Sequence, residues 1–166
     1  MSLTRLFMSI LMVGINLFNF VFNDYAFPAH STHGAYLFCY FVGNEVDEQT
    51  IHLAVSTDGY NFEALNGNKP VIEQTKGTGC VRDPYIFKAV DENGKDCYYI
   101  VATDMDAMLG WTSNHAVVFW KSYDLVNWED EYILSQGAEN GDLGYPASVE
   151  LSDGSIFTMY YQKFAP

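Results

Sequence analysis

Basic residues are scarce in this chain. Lysine and arginine together number 8 against 21 aspartates and glutamates, a formal net charge of −13. So negative a surface repels phosphate backbones, which excludes nucleic acid as an expected partner and leaves a cation or a neutral ligand such as a sugar. The surplus of carboxylates also serves solubility. Cysteine is nearly as rare. Cys39, Cys80 and Cys97 allow at most one internal disulfide, and no Cys-x-x-Cys or Cys/His ligand spacing exists, so neither a metal nor a cofactor is expected. His30, His33, His52 and His115 show no ligand spacing either. Beyond residue 30 no stretch carries a sustained helical period with caps, which removes an α-helical core from consideration.

Aromatic and apolar residues are abundant. Apolar residues make up 49% of the 166 and aromatics 16%, ample for a core, and this excludes intrinsic disorder. The length suits one domain at most. Near the start, Arg5 precedes the uncharged run Leu6 to Phe22, with Asn23 and Asp24 following. Two readings of residues 1–22 stay open. A basic start and a long apolar stretch suit an export signal or membrane anchor, with Ala26 and Ala29 the nearest small residues for cleavage; the run would equally serve as a buried segment of the domain. The first reading places the protein in the secreted or cell-envelope fraction, and residues 23–166 form the folded domain.

From residue 36 onward, short β-like runs alternate with turn signals. Tyr36–Val42 is dense in aromatic and β-branched residues, and Ile51–Val55 alternates before the turn Ser56-Thr-Asp-Gly59. Pro84–Phe87 leads through Asp91-Glu-Asn-Gly94 to Cys97–Ala102, and Ala116–Trp120 and Trp128–Leu134 follow. Ser148–Leu151 and Ser155–Tyr161 flank a turn at Ser152-Asp-Gly154. The expected class is all-β. Two segments share the template S-x-D-x-x-N-aromatic-E: Ser56 to Glu63 and Ser122 to Glu129, 66 residues apart. A repeat of about 40 to 60 residues holding four strands is the signature of a propeller blade. One blade then ends near residue 72, the next runs from 82 to 134, and a third opens near Pro146.

Five segments carry a resemblance to a known family: Tyr36-Leu-Phe-Cys-Tyr-Phe, Ile51 to Phe62, Val81-Arg-Asp-Pro-Tyr-Ile-Phe87, Tyr98 to Asp104, and Trp120 to Trp128. Over residues 35 to 130 the chain resembles glycoside hydrolase family 43, whose members are five-bladed β-propellers. The segment Asp142 to Tyr161 looks more like a blade of the sialidase-like propellers. The fold implied is a partial five-bladed β-propeller of four-stranded antiparallel sheets, about two and a half blades long, since five blades of this size need about 280–320 residues.

The resemblance also implies chemistry. Family 43 hydrolyses glycosidic bonds with inversion, using three acidic positions on the innermost strands of the first three blades: a base, a modulator of the acid's pKa, and the acid. Inverting hydrolysis needs a proton donor and a water-activating base on opposite sides of the sugar. Asp83, in Arg82-Asp83-Pro84, matches the middle carboxylate, with Arg82 placed to orient it. Asp-Pro at a strand start is also an ordinary turn. Counting back from Asp83 makes Asp24 the candidate base. For the acid, Glu139 and Glu150 are the nearest candidates, because Tyr145 stands before Pro146 as Asp83 stands before Pro84. Tyr85, Trp111 and Tyr145 are candidates for stacking on sugar rings, Trp111 doubling as a hydrophobic plug over the blade. A sialidase-type site is not expected, because Arg5 and Arg82 are the only arginines and recognition of a carboxylate sugar needs a cluster of them.

The expected function is hydrolysis of O-glycosidic bonds in plant-type oligosaccharides or polysaccharides, of arabinosidase or xylosidase kind. A non-catalytic sugar-binding propeller and an inactive fragment are the alternatives.

Overall fold

The structure is a computed structural model that describes residues 9–14, 34–139 and 141–164. It is all-β. Four strands, β1 (Ser9–Gly14), β2 (Gly34–Tyr40), β3 (His52–Ser56) and β4 (Glu63–Ala64), form one antiparallel sheet in chain order. A second sheet repeats that order with β5 (Val81–Val90), β6 (Asp96–Asp104), β7 (Ala116–Ser122) and β8 (Tyr132–Gln136). The third sheet is the hairpin β9 (Leu143–Glu150) and β10 (Ile156–Gln162). Helical structure among the described residues is confined to single 3-10 turns. Two four-stranded meanders followed by a two-stranded one match the architecture of a partial propeller.

Alternation along the strands places these sheets face to face. Leu37, Cys39 and Leu53 of the first sheet meet Ile86, Ile100, Val118 and Trp120 of the second in one buried cluster. The opposite face of the second sheet carries Phe87 and Val101, with Tyr85, Tyr99 and Phe119 packed against them. Ile156 and Thr158 of β10 approach that face across an apolar cavity of about 200 Å³. The middle sheet is therefore covered on both sides, which is why β6 is buried from Ile100 through Asp104 without alternation.

The repeated template makes two matching turns. Ser56 Oγ accepts from the backbone of Asp58 and Gly59, while Asp58 Oδ1 accepts from Tyr60 and Asn61 at 2.8 Å each. Ser122 and Asp124 repeat this with Leu125, Val126 and Asn127. These donors, the Asn61 and Asn127 amides foremost, hold both carboxyls far below the usual range. The residue after each Asp is left-handed, Gly59 at φ 76° and Leu125 at φ 65°. The aromatic positions diverge: Trp128 bridges back to Ser122, and β8 starts only at Tyr132, later than the alternation predicts.

All three cysteines are free and buried, and burial raises their thiols, so they pack as small apolar groups. Six residues of the N-terminal apolar run form β1, paired with β2 from Ser9↔Cys39 to Gly14↔Gly34. The rest of that run, and Asp24, lie outside the described residues. Among the described residues no helix is long and apolar enough to cross a membrane.

Candidate functional site

Two strand openings share one irregularity. In β5 the pairing runs Arg82↔Thr103 and then Tyr85↔Val101, so Asp83 and Pro84 stand opposite a single residue. In β9 it runs from Gly144↔Tyr161 to Ala147↔Met159, so Tyr145 and Pro146 do the same. Proline has no N–H for the ladder, so the register slips at each and a bulge results. The residue before each proline is left-handed, Asp83 at φ 50° and Tyr145 at φ 51°. For a non-glycine residue this costs about 1–3 kcal/mol, strain of a kind that gathers at functional sites. The equivalence expected between Asp83-Pro84 and Tyr145-Pro146 is thus present in the backbone itself.

Both side chains line one cavity of about 310 Å³, shared with Trp111, Asn114, Asp142 and Tyr161. Burial lifts the Asp83 carboxyl above the usual range, with the neighbouring charge of Arg82 pulling the other way. Arg82 is engaged elsewhere. Its Nη1 donates to Asn44 Oδ1 at 2.8 Å and Gln49 Oε1 at 3.4 Å, and its guanidinium lies 4.3 Å from the Phe41 ring centroid and 5.9 Å from that of Trp111. Its charge reaches Asp83 through space, while its hydrogen bonds hold the loop after β2.

The loop between β6 and β7 is fixed by a buried polar hub. Gln49 donates to Asp106 Oδ1 at 3.0 Å and accepts from Ala107 N at 2.7 Å, while Ser113 Oγ bonds the backbone N and O of Asp106. Gly141 tightens the other side: a Cβ there would lie 2.6 Å from the Thr112 carbonyl oxygen. Held so, Trp111 is 69% exposed. That exposure suits a stacking platform and not a plug.

On the far wall Tyr145 stacks on Tyr161, with centroids 5.7 Å apart and planes 23° from parallel. Tyr161 OH donates to Asp142 Oδ1 at 2.5 Å, and this bond, more than burial, pushes its phenol up to about 12. Lys163 Nζ lies 4.0 Å from Asp142 Oδ2. Sequence reasoning missed Asp142, Tyr161 and Asn114. Pairing outward from the Asp153-Gly154 turn would have found the first two, because it sets Tyr161 beside Gly144.

Other candidates sit apart. Tyr85 packs against Phe87 on the face of the second sheet and is not among the described residues that line the cavity. Glu139 is exposed on the β8–β9 loop and is not among them either. Glu150 accepts from Val90 N at 3.1 Å, seven residues along β5 from Asp83, which is roughly 23 Å at strand rise.

A family model described as a probable glycosyl hydrolase domain, related to family 43, matches residues 31–146. The chain belongs to that family. Membership implies a carbohydrate substrate. The match covers the first sheet from β2 onward and all of the second, and it ends at Pro146, where the bulge of β9 closes. The β9–β10 hairpin lies largely beyond it. Comparison with curated proteins gives no match.

Proposed function

We propose that the cavity between β5 and β9 is a sugar site of glycoside hydrolase type, acting with inversion on arabinose- or xylose-containing oligosaccharides of plant type. The observation that carries this is the pair of proline bulges. They turn Asp83 and Tyr145 into one cavity beside an exposed tryptophan. A carboxylate accepts hydrogen bonds from sugar hydroxyls, while aromatic faces cover the apolar face of the ring. Covering roughly 55 Å² of apolar sugar surface with Trp111 is worth about 1.4 kcal/mol. Trp111→Ala should therefore weaken binding of xylo- or arabino-oligosaccharides about tenfold by titration calorimetry. Unchanged affinity would place the sugar elsewhere.

One observation favours a second reading, sugar binding without turnover. Tyr145 occupies the bulge where the family resemblance calls for the acid. Nitrophenyl arabinosides and xylosides decide between the two: release of nitrophenol supports hydrolysis, and saturable binding without release supports a binding domain.

Export is the further part of this reading. It rests on Arg5 and the apolar run behind it. Expressed in a secreting host, the chain should lose about 25–30 residues or enter the membrane fraction. A soluble product that still begins at residue 1 would assign Ser9–Gly14 to the sheet for good and remove the export reading.

A further inference from the structure

Three regions of the molecule invite explanation. The groove of about 570 Å³ between the β5–β6 turn and the β9–β10 turn mixes Asp91, Glu150 and Asp153 with Lys121, but its carboxylates hold nearby backbone and phenol groups. The apolar cavity behind Phe87 is a gap between sheets. The third region, the wall of the sugar cavity facing Asp83, carries further chemistry.

We infer that Asp142 is the second carboxylate of this site, facing the reacting carbon of the sugar across the cavity from Asp83. The inference rests on the sugar-site reading above and extends it. Hydrolysis with inversion requires two carboxyl groups on one cavity, and among the described lining residues Asp83 and Asp142 are the two that carry them. Neither Glu139 nor Glu150 lines it. Asp142 opens the third sheet immediately before β9, three residues ahead of the bulge at Tyr145, so the strand that lacks an acidic residue at its bulge has one at its entrance.

Its oxygens are held in place by two neighbours. Tyr161 OH donates to Oδ1, and Lys163 stands on the Oδ2 side with its backbone N–H donating to the Asp142 carbonyl at 2.8 Å. A separate observation points to a ligand. Asn114, only 4% exposed, forms part of the same wall, and its Oδ1 has no hydrogen-bond partner among the described residues. A buried acceptor left so costs about 1–3 kcal/mol, the sort of cost kept where a polar ligand is met.

Asp83, half-buried beside Arg82, is placed to accept from sugar hydroxyls, while Asp142, held by Tyr161 and Lys163, faces the anomeric carbon, where positive charge develops as the glycosidic bond breaks. Tyr145 and Trp111 cover the ring.

The test is binding of two sugars of like shape and different charge: neutral xylobiose, and a xylose-configured iminosugar whose ring nitrogen is protonated. The wild-type chain should prefer the cation, and Asp142→Asn should lower iminosugar affinity tenfold or more while leaving xylobiose within about twofold, a charge-assisted contact being worth about 1.5–3 kcal/mol. Retained xylobiose binding shows that the variant is folded. Equal affinity of the wild type for both ligands, or a preference that survives Asp142→Asn, overturns the inference while leaving the sugar site standing. Loss of both ligands with a fallen melting temperature makes Asp142 a structural residue and overturns it too. If the wild type binds neither ligand, the sugar-site reading itself falls.

Discussion

Asp83→Asn is expected to weaken sugar binding by ten- to a hundredfold and to raise, not lower, the melting temperature at neutral pH. The two effects have one cause. The carboxyl is turned out of the ladder at φ 50° into a half-buried position, where burial lifts its pKa and Arg82 only partly opposes. A pKa raised by folding adds stability below the unfolded value of about 3.9, and that stability is lost as pH rises through the folded value. At neutral pH the ionised side chain therefore strains the fold. Asparagine keeps the shape, tolerates the left-handed backbone and removes the charge, so the melt should rise. Below pH 4 the wild type and variant should converge. Binding moves the other way, because each charge-assisted bond to a sugar hydroxyl is worth about 1.5–3 kcal/mol. Calorimetric titration with arabinose- and xylose-based oligosaccharides, beside melts at pH 3.5 and 7, reads both. A large fall in melting temperature with unchanged affinity would make Asp83 a turn residue only.

Local chemistry explains which parts of this molecule were legible in the sequence. The S-x-D-x-x-N turns were readable because every bond they make lies within five residues. Strands β5, β6 and β7 were readable because β-branched and aromatic residues sit between strong turn signals. The proline bulges were half-readable. Asp83-Pro84 and Tyr145-Pro146 announce themselves as equivalent, but the direction of their side chains depends on the partner strand's register. Trp111 was ambiguous for a similar reason. Its exposure is decided by Gln49, 62 residues away in sequence, and by the close approach of Gly141 to Thr112. The same limit applied to Tyr85: alternation makes it surface or core according to whether a third sheet covers that face. Asp142 was hidden because the strand carrying its partner Tyr161 returns from beyond the family match. Position within a blade reads from short motifs, whereas what faces a funnel reads only from the packing of blades on each other.

The largest loss of stability should come from the contact between the first and second sheets. Ile100 is fully buried at the centre of β6, paired with Ile86 on one side and Trp120 on the other. All three belong to the cluster that Leu37, Cys39 and Leu53 close from the first sheet. Truncation there leaves a cavity that a rigid ladder cannot collapse, so Ile100→Ala should cost about 2–5 kcal/mol. Against a typical total of about 5–15 kcal/mol this is a large fraction. At about 2–4 °C per kcal/mol for a domain of this size, the melting temperature should fall by roughly 5–20 °C. Phe157 is the matched control. It is larger but 55% exposed on β10, and Phe157→Ala should stay within about 0.5 kcal/mol. Urea denaturation followed by tryptophan fluorescence and by far-ultraviolet circular dichroism compares the two. Because Trp120 lies in the same cluster as Ile100, both signals should move together to lower urea in Ile100→Ala. A midpoint that moves for fluorescence alone would mean that the two sheets unfold independently, and the cluster between them would then be a contact surface, not a shared core.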